Sequence, residues 1–337
     1  MKFLYFLEGI RNPFLDFFFA TITHLGEEIF FLGLAIFFFW CVNKREGYYI
    51  LTVGLMGTVV NQLLKIIYKI PRPWVKDPAF TVVESAVEEA TGYSFPSGHT
   101  QNVTGTFGAI CVWSKRLWVR VLSASLVVLV ALSRMYLGVH TPLDVIVSLL
   151  IGFILVASLY PAFKTEERFN KFMPYVVGVS MIVTVAFAIY CATLSPEGLD
   201  PKNYESALKN AATLTGCVAG LAIVYPLDRF VIKFNTSGRW YSQFIKLALG
   251  LCIVFLAKEG LRAPLESLVG LFTDSPVYIA RGIRYFLIVL IAGAVWPLTF
   301  KFFSNLRIEF MERFTLWFKK KLSFISHGTD SRQAEDK

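Results

Sequence analysis

The chain is poor in charge. Only 17% of its 337 residues are Asp, Glu, Lys or Arg, against about 25% in an average soluble domain. Apolar residues fill the difference at 55%, with 32 phenylalanines and a mean hydropathy of +0.57, so the composition belongs to the membrane class. Cysteine is sparse. Cys41, Cys111, Cys191, Cys217 and Cys252 lie far apart, each in or beside an apolar run, and no pair has metal-ligand spacing or suggests a disulfide framework. They read as small buried hydrophobes. No His/Asp/Glu/Cys cluster suggests a metal, so neither metal nor cofactor is expected. Internal repeats are lacking, and Glu8, Arg11 and Asn12 interrupt the first apolar run too early for a secretory signal. The net charge of +9 is not a nucleic-acid footprint, because the basic residues flank apolar runs, where they set orientation.

Apolar runs suited to crossing a bilayer fall at about 27–42, 47–68, 98–114, 118–137, 142–163, 173–193, 208–227, 241–258 and 281–303. The expected fold is therefore an all-α polytopic transmembrane bundle of about nine spans. Residues 1–24 read as one amphipathic, Phe-rich helix lying at the interface. Connections around Lys44-Arg45, Lys115-Arg116, Lys164–Lys171 and Asp228–Arg239 are basic or mixed, whereas Asp77, Glu84, Glu88, Glu89, Glu197, Asp200 and Glu205 mark the others. Putting the basic loops in the cytoplasm leaves the acidic loops and the N-terminus outside and the C-terminus inside. Phe310 to Leu322 interleaves aromatics with Arg313 and Lys319–Lys321, suiting a cytoplasmic-surface helix on anionic lipid; residues 328–337 read as disordered. A composition change near 195 divides a chemically rich part, 1–195, from accessory spans, 196–308, and a tail, 309–337. The last three spans suit a lateral gate or a homo-oligomer contact.

Three polar clusters stand out. At the end of the second run, Lys65 is followed six residues later by Arg72-Pro73; alone, this is what snorkelling and interfacial cations look like. Phe95-Pro96-Ser97-Gly98-His99 opens the third run. It places free backbone N–H groups and a positive dipole end beside a histidine, a ready anion site, with Gly98 allowing close approach. A plain helix start with Ser97 as N-cap is the competing reading. Between the fourth and fifth runs lies Ser133-Arg134, then Gly138, His140, Thr141-Pro142 and Asp144. An arginine near the bilayer centre costs about 2.5–3.5 kcal/mol even on the lenient insertion scale, so Arg134 calls for an anion or a wet cavity. Thr141 reads as N-cap, Pro142 as the first helical residue and Asp144 as the third, a capping-box-like start. Asp144 then stands across a helix entrance from His140, placed to accept from one imidazole nitrogen and aim the other outward. Loop charges alone put all three clusters on one side of the membrane. Two of the chain's four histidines occupy them; His24 and His327 read as surface residues.

Lys65-x6-Arg72-Pro73, Pro96-Ser97-Gly98-His99 and Ser133-Arg134-x5-His140-x3-Asp144 resemble, in order and spacing, the three signature motifs of the type 2 phosphatidic acid phosphatase superfamily. The resemblance covers roughly residues 1–193. It implies that His140 attacks phosphorus and forms a phosphohistidine, that Asp144 orients it, and that His99 protonates the leaving alkoxide and then activates water. It also implies that Lys65, Arg72, Arg134, Ser97 and the Gly98 backbone hold the phosphate, with Ser133 in support. The chemistry is coherent on its own terms, since phosphoryl transfer needs positioning and positive charge on the equatorial oxygens. Haloperoxidases and soluble acid phosphatases share the motifs, but membrane spans favour a lipid phosphate or diphosphate. Membrane lipid is thus the partner expected, and nucleic acid is not. A lipid phosphotransferase using the same phosphohistidine, and a non-catalytic transporter or scaffold, are the alternatives.

Overall fold

The computed structural model describes residues 1–317 apart from positions 89, 91, 274, 275 and 314. Among the described residues there is no strand. The N-terminal part runs through α1 (Lys2–Gly9), α2 (Pro13–Thr23), a 3-10 turn His24–Gly26 and α3 (Glu28–Phe37). Next come α4 (Lys44–Tyr68), the short α5 (Pro73–Lys76), α6 (Gly98–Trp113), α7 (Leu117–Tyr136), α8 (Pro142–Phe163) and α9 (Glu166–Thr193). The remainder consists of α10 (Pro201–Leu227), α11 (Trp240–Gly260), α12 (Arg262–Val269), α13 (Pro276–Leu290) and α14 (Phe300–Asn305).

Six helices are long and apolar enough to cross a membrane: Lys44–Lys76, Leu117–Tyr136, Pro142–Phe163, Glu166–Thr193, Pro201–Ile232 and Pro276–Asn305. Counting Pro13–Gly26 with Glu28–Val42, a pair bent by 53°, gives seven. The expectation of about nine is revised accordingly. Gly98–Trp113 has only 16 residues, about 24 Å of helix, and is largely buried within the bundle. Trp240–Gly260 forms the helix expected at 241–258, but it opens on Trp-Tyr-Ser-Gln and carries the buried Lys246. Residues 1–24 are not one helix. Arg11 and Asn12 break them, with Asn12 capping α2 through a bond from the Leu15 N–H and Pro13 at its first position, where a missing N–H costs nothing. Leu4 and Leu7 are buried against Phe80, Ala131 and Met135, so the segment packs on the bundle. Positions 314 and 318–322 of the expected surface helix at 310–322 lie outside the described residues, as does the tail 328–337.

α4 is the central element. Asn43 caps it, and Tyr48, Tyr49, Ile50, Val53 and Val59 face the main core. Small residues let neighbours come close: a Cβ at Gly54 would meet the Phe31 ring at 2.1 Å, and one at Gly152 would meet Thr104 at 2.5 Å. In the second half, α10 and α13 touch backbone to backbone. A Cβ at Gly216 would lie 2.1 Å from the Gly282 carbonyl oxygen and one at Gly220 2.7 Å from Val289; just past α13, one at Gly293 would lie 2.5 Å from Val224. Small residues at such spacing are how helices associate where water provides no drive. Lys44 joins the two halves: its Nζ donates to both Asp228 oxygens at 3.0 and 2.9 Å and to the Phe234 carbonyl at 3.2 Å.

The antiparallel run of the helices brings the end of α4, the start of α6, the end of α7 and the start of α8 to one end of the bundle. The α9–α10 connection reaches the same end, where the Tyr93 hydroxyl meets the Asp200 N–H at 3.0 Å. At the other end Leu306 meets Arg239 and Tyr241.

Candidate active site

The third cluster folds as its sequence dictates. Thr141 caps α8, with Pro142 at its first position. The Thr141 hydroxyl accepts from the Asp144 N–H at 3.3 Å, and Asp144 Oδ2 accepts from the Thr141 N–H at 2.7 Å, a complete capping box. Just before it, Gly138 turns the chain at φ +83°, a conformation with little cost only for glycine. The turn closes through the Arg134 carbonyl, which accepts from the N–H groups of Val139 and His140, both at 3.2 Å. His140 is thereby fixed above the entrance of α8, 2% exposed, with Asp144 1% exposed beneath it. Both side chains are held by protein groups.

The two nitrogens of His140 face different partners. Nε2 lies 2.9 Å from Arg72 Nη1. A guanidinium only donates, so Nε2 accepts and the ring proton sits on Nδ1. Nδ1 in turn lies 3.5 Å from Asp144 Oδ2 and 3.4 Å from the Ser94 hydroxyl. Ser94 donates to the same carboxylate oxygen at 2.5 Å. Burial first, then the charges of Arg72, Arg134 and Lys65 with His99, push the His140 imidazolium well below its ordinary value of 6.5. The ring is neutral at pH 7, with its Nε2 lone pair directed toward the cations.

Those cations come from three elements. Lys65, in the last turn of α4, donates to the Tyr93 carbonyl at 2.7 Å. Arg72 caps α5 and donates also to the carbonyls of Gly92 at 3.1 Å and Val139 at 2.9 Å. Arg134, 1% exposed near the end of α7, donates from Nη1 to the Thr23 hydroxyl at 2.7 Å. Ser97 caps α6, and its N–H reaches the Asp144 carbonyl at 3.3 Å, which joins the second cluster to the third. His99 follows in the first turn of α6. Gly98 is open on its outer side, a Cβ there meeting nothing nearer than Asn61 Oδ1 at 3.9 Å. All eight residues singled out in the sequence (Lys65, Arg72, Ser97, Gly98, His99, Arg134, His140 and Asp144) therefore gather at one end of the bundle.

Several contributors carry no sequence signal. Ser94 is fully buried and lies just outside the Pro-Ser-Gly-His motif, in a loop whose path is set by the bond from its N–H to the Ile70 carbonyl at 2.7 Å. Thr23 and Gly26 precede every motif. The loop between α5 and α6 is held by the N-terminal segment: the Tyr5 hydroxyl donates to Asp77 at 2.8 Å, the Thr81 N–H donates to Glu8 at 2.9 Å, and Arg11 donates to the Thr81 carbonyl at 3.0 Å. Arg11 also reaches the Tyr136 carbonyl at 3.1 Å, and the Tyr136 hydroxyl donates to Asp16 at 2.7 Å.

The site is a buried histidine beside a carboxylate with several cations at helix ends, and the chain belongs to the PAP2 superfamily. The family model described as PAP2 superfamily matches residues 45–168, and that described as PAP2 superfamily phosphatase, transmembrane extension, matches 208–307. The chain is similar to phosphatidylglycerophosphatase B of Bacillus subtilis, at 31% identity over 43% of this chain and 74% of that protein. It is similar to sphingosine-1-phosphate phosphatase 1 of Rattus norvegicus, at 25% identity over 64% of this chain and 49% of that protein. The chain thus spans about half the length of that curated relative. Among solved structures, Aquifex aeolicus LpxE is similar at 26% identity and a TM-score of 0.42, over 47% of this chain and 92% of that one.

Proposed function

We propose that this chain is a lipid phosphate phosphohydrolase working through a phosphohistidine, without a metal. The observation that carries the reading is the polarity of His140: proton on Nδ1 toward Asp144, lone pair on Nε2 beside Arg72. In the first step Nε2 attacks phosphorus, the bond from phosphorus to the ester oxygen breaks, and His99 gives its proton to the departing alkoxide. Lys65, Arg72 and Arg134, with Ser97 and the N–H groups at the start of α6, neutralise the equatorial oxygens. Asp144 balances the positive charge that the phosphorylated ring acquires. In the second step His99 takes a proton from water, the water oxygen bonds to phosphorus, the P–N bond breaks, and inorganic phosphate leaves with His140 neutral again.

The names of the similar proteins support a lipid monophosphate as substrate, a sphingoid base phosphate or phosphatidylglycerophosphate among them. Residues 1–195 form the catalytic core in this reading and 196–308 an accessory transmembrane part. The connections at the end opposite the site carry Lys44-Arg45, Lys115-Arg116, Lys164 and Arg168. The positive-inside rule then supports an outward-facing site and a cytoplasmic C-terminus in a multi-pass cell-membrane protein.

The test is phosphate release by the purified full chain in detergent from sphingosine 1-phosphate, phosphatidate and phosphatidylglycerophosphate, with and without EDTA. His140→Ala is expected to abolish turnover, and EDTA to leave it intact. Full activity in His140→Ala would sink the mechanism. Transfer of phosphate to an added lipid alcohol instead of water would make the chain a phosphotransferase, and silence on every substrate would favour a transporter or scaffold.

A further inference from the structure

The turn between α2 and α3 lies outside both matched family segments, yet it touches two of the residues to which the proposed mechanism gives separate jobs. Thr23, the last residue of α2, is buried, and its hydroxyl accepts from Arg134 Nη1 at 2.7 Å. Three residues on, Gly26 lies flat against the start of α6: a Cβ there would stand 2.8 Å from both the Cβ and the carbonyl oxygen of His99. The turn is tied to α6 through Asn102, whose Nδ2 donates to the Gly26 carbonyl at 3.1 Å.

We infer that residues 23–26 are the rear wall of the phosphate pocket, with Thr23 a positioning residue for Arg134 and Gly26 the residue whose missing side chain sets the place of His99. The inference rests on the reading of the site as a phosphate pocket. A guanidinium is planar, with its donors in a fixed fork. Holding one Nη from behind therefore fixes the plane in which the remaining donors point. The buried threonine hydroxyl accepts this bond, which neither alanine nor valine can do. At Gly26 the constraint is steric and the neighbours are the Cβ, carbonyl oxygen and Cα of His99, none of which a rotamer change can move away. Any side chain must push the first turn of α6, and His99 with it, away from the α2–α3 turn. Displacement of a reacting group by about 1 Å is enough to cost on the order of 10²-fold in rate.

The experiment uses the full chain in detergent and two readouts: inhibition by orthovanadate, which mimics phosphate without being turned over, and the steady-state constants for a lipid phosphate. Thr23→Val is expected to weaken orthovanadate about tenfold and to raise KM more than it lowers kcat, the loss of about one charge-assisted hydrogen bond. Thr23→Ser, which keeps the hydroxyl, should restore both, a rescue that a purely structural role would not show. If Thr23→Val does not fold, Thr23→Ala carries the same expectation. Gly26→Ala is expected to lower kcat by at least about tenfold while shifting orthovanadate less, because His99 moves and the cations stay. Wild-type orthovanadate affinity in a folded Thr23→Val or Thr23→Ala protein, or wild-type kcat in Gly26→Ala, overturns the assignment. Arg134→Ala separates the two levels: if it leaves orthovanadate binding intact, the phosphate pocket itself has been misread, whereas loss there with no effect at Thr23 overturns only the rear wall.

Discussion

Replacing Ser94 with alanine removes one hydroxyl and tests the polarity of the His140–Asp144 pair. Asp144 Oδ2 accepts from Thr141 N–H at 2.7 Å and from Ser94 at 2.5 Å, and it faces His140 Nδ1 at 3.5 Å. In Ser94→Ala one of these bonds to a buried carboxylate disappears. A hydrogen bond to a charged group contributes about 1.5–3 kcal/mol. If most of that is felt when the ring becomes a positively charged phosphohistidine, the barrier rises by about that amount, or roughly 10- to 100-fold in kcat. Ser94 does not face the Arg72 side of the ring, so KM is expected to stay within about twofold. The assay is steady-state phosphate release from a lipid phosphate in mixed micelles, with size-exclusion elution and thermal midpoint as folding controls. A folded Ser94→Ala protein with wild-type kcat would refute the reasoning. So would a large rise in KM at constant kcat, which would place the hydroxyl on the phosphate instead of behind the nucleophile.

Four further outcomes follow from the structure. His140 has a pKa well below 6.5 in the folded chain, so the acid limb of kcat/KM assigned to the free-enzyme nucleophile should lie well below pH 6.5, read from a pH–rate profile. The unfolded chain binds a proton at this position as pH falls through 6.5 and the folded chain does not; stability is therefore lost on acidification below that value, and His140→Gln should blunt the loss in pH-dependent thermal melts. Gly138→Ala should lower the thermal midpoint, because φ is +83° and the new Cβ would lie 2.8 Å from Arg11 Nη2, a strain of at least about 1 kcal/mol. Lys44→Ala should strip a 4%-exposed Asp228 of its cation, a cost of about 3–5 kcal/mol. A fall of several degrees in melting with residual kcat near wild type would show that the pair fastens the two halves without serving the chemistry.

The local parts of the site were legible in the sequence because they are written by short-range rules. Thr141, Pro142 and Asp144 start a helix in the only way those residues comfortably can, and Ser97 caps the helix that carries His99. Arg134 announced itself by its cost in an apolar run. The residues that escaped notice act across long sequence separations. Ser94 meets Asp144 fifty positions away and Thr23 meets Arg134 over 111, and neither a serine in a loop nor a threonine at a helix end signals a partner. Span counting failed in the same physical way. Hydropathy measures what a segment would prefer, whereas Gly98–Trp113 is sheltered by other helices and need not be long, and the Phe-rich start of the chain is divided by a single Asn-Pro step. The cross-link from Lys44 to Asp228 was equally hidden, since each residue looks like an ordinary charge flanking a span.

The contact of α10 with α13 has a consequence for how this part of the molecule meets its solvent. Where Gly216 abuts Gly282 and Gly220 abuts Val289, the gap is narrower than a methylene, so no hydrocarbon tail can wedge into the groove. The two helices are thereby closed into a single unit along this joint. Tolerance to substitution along that joint is then governed by bulk alone: even a conservative apolar replacement at Gly216 would pry the pair apart.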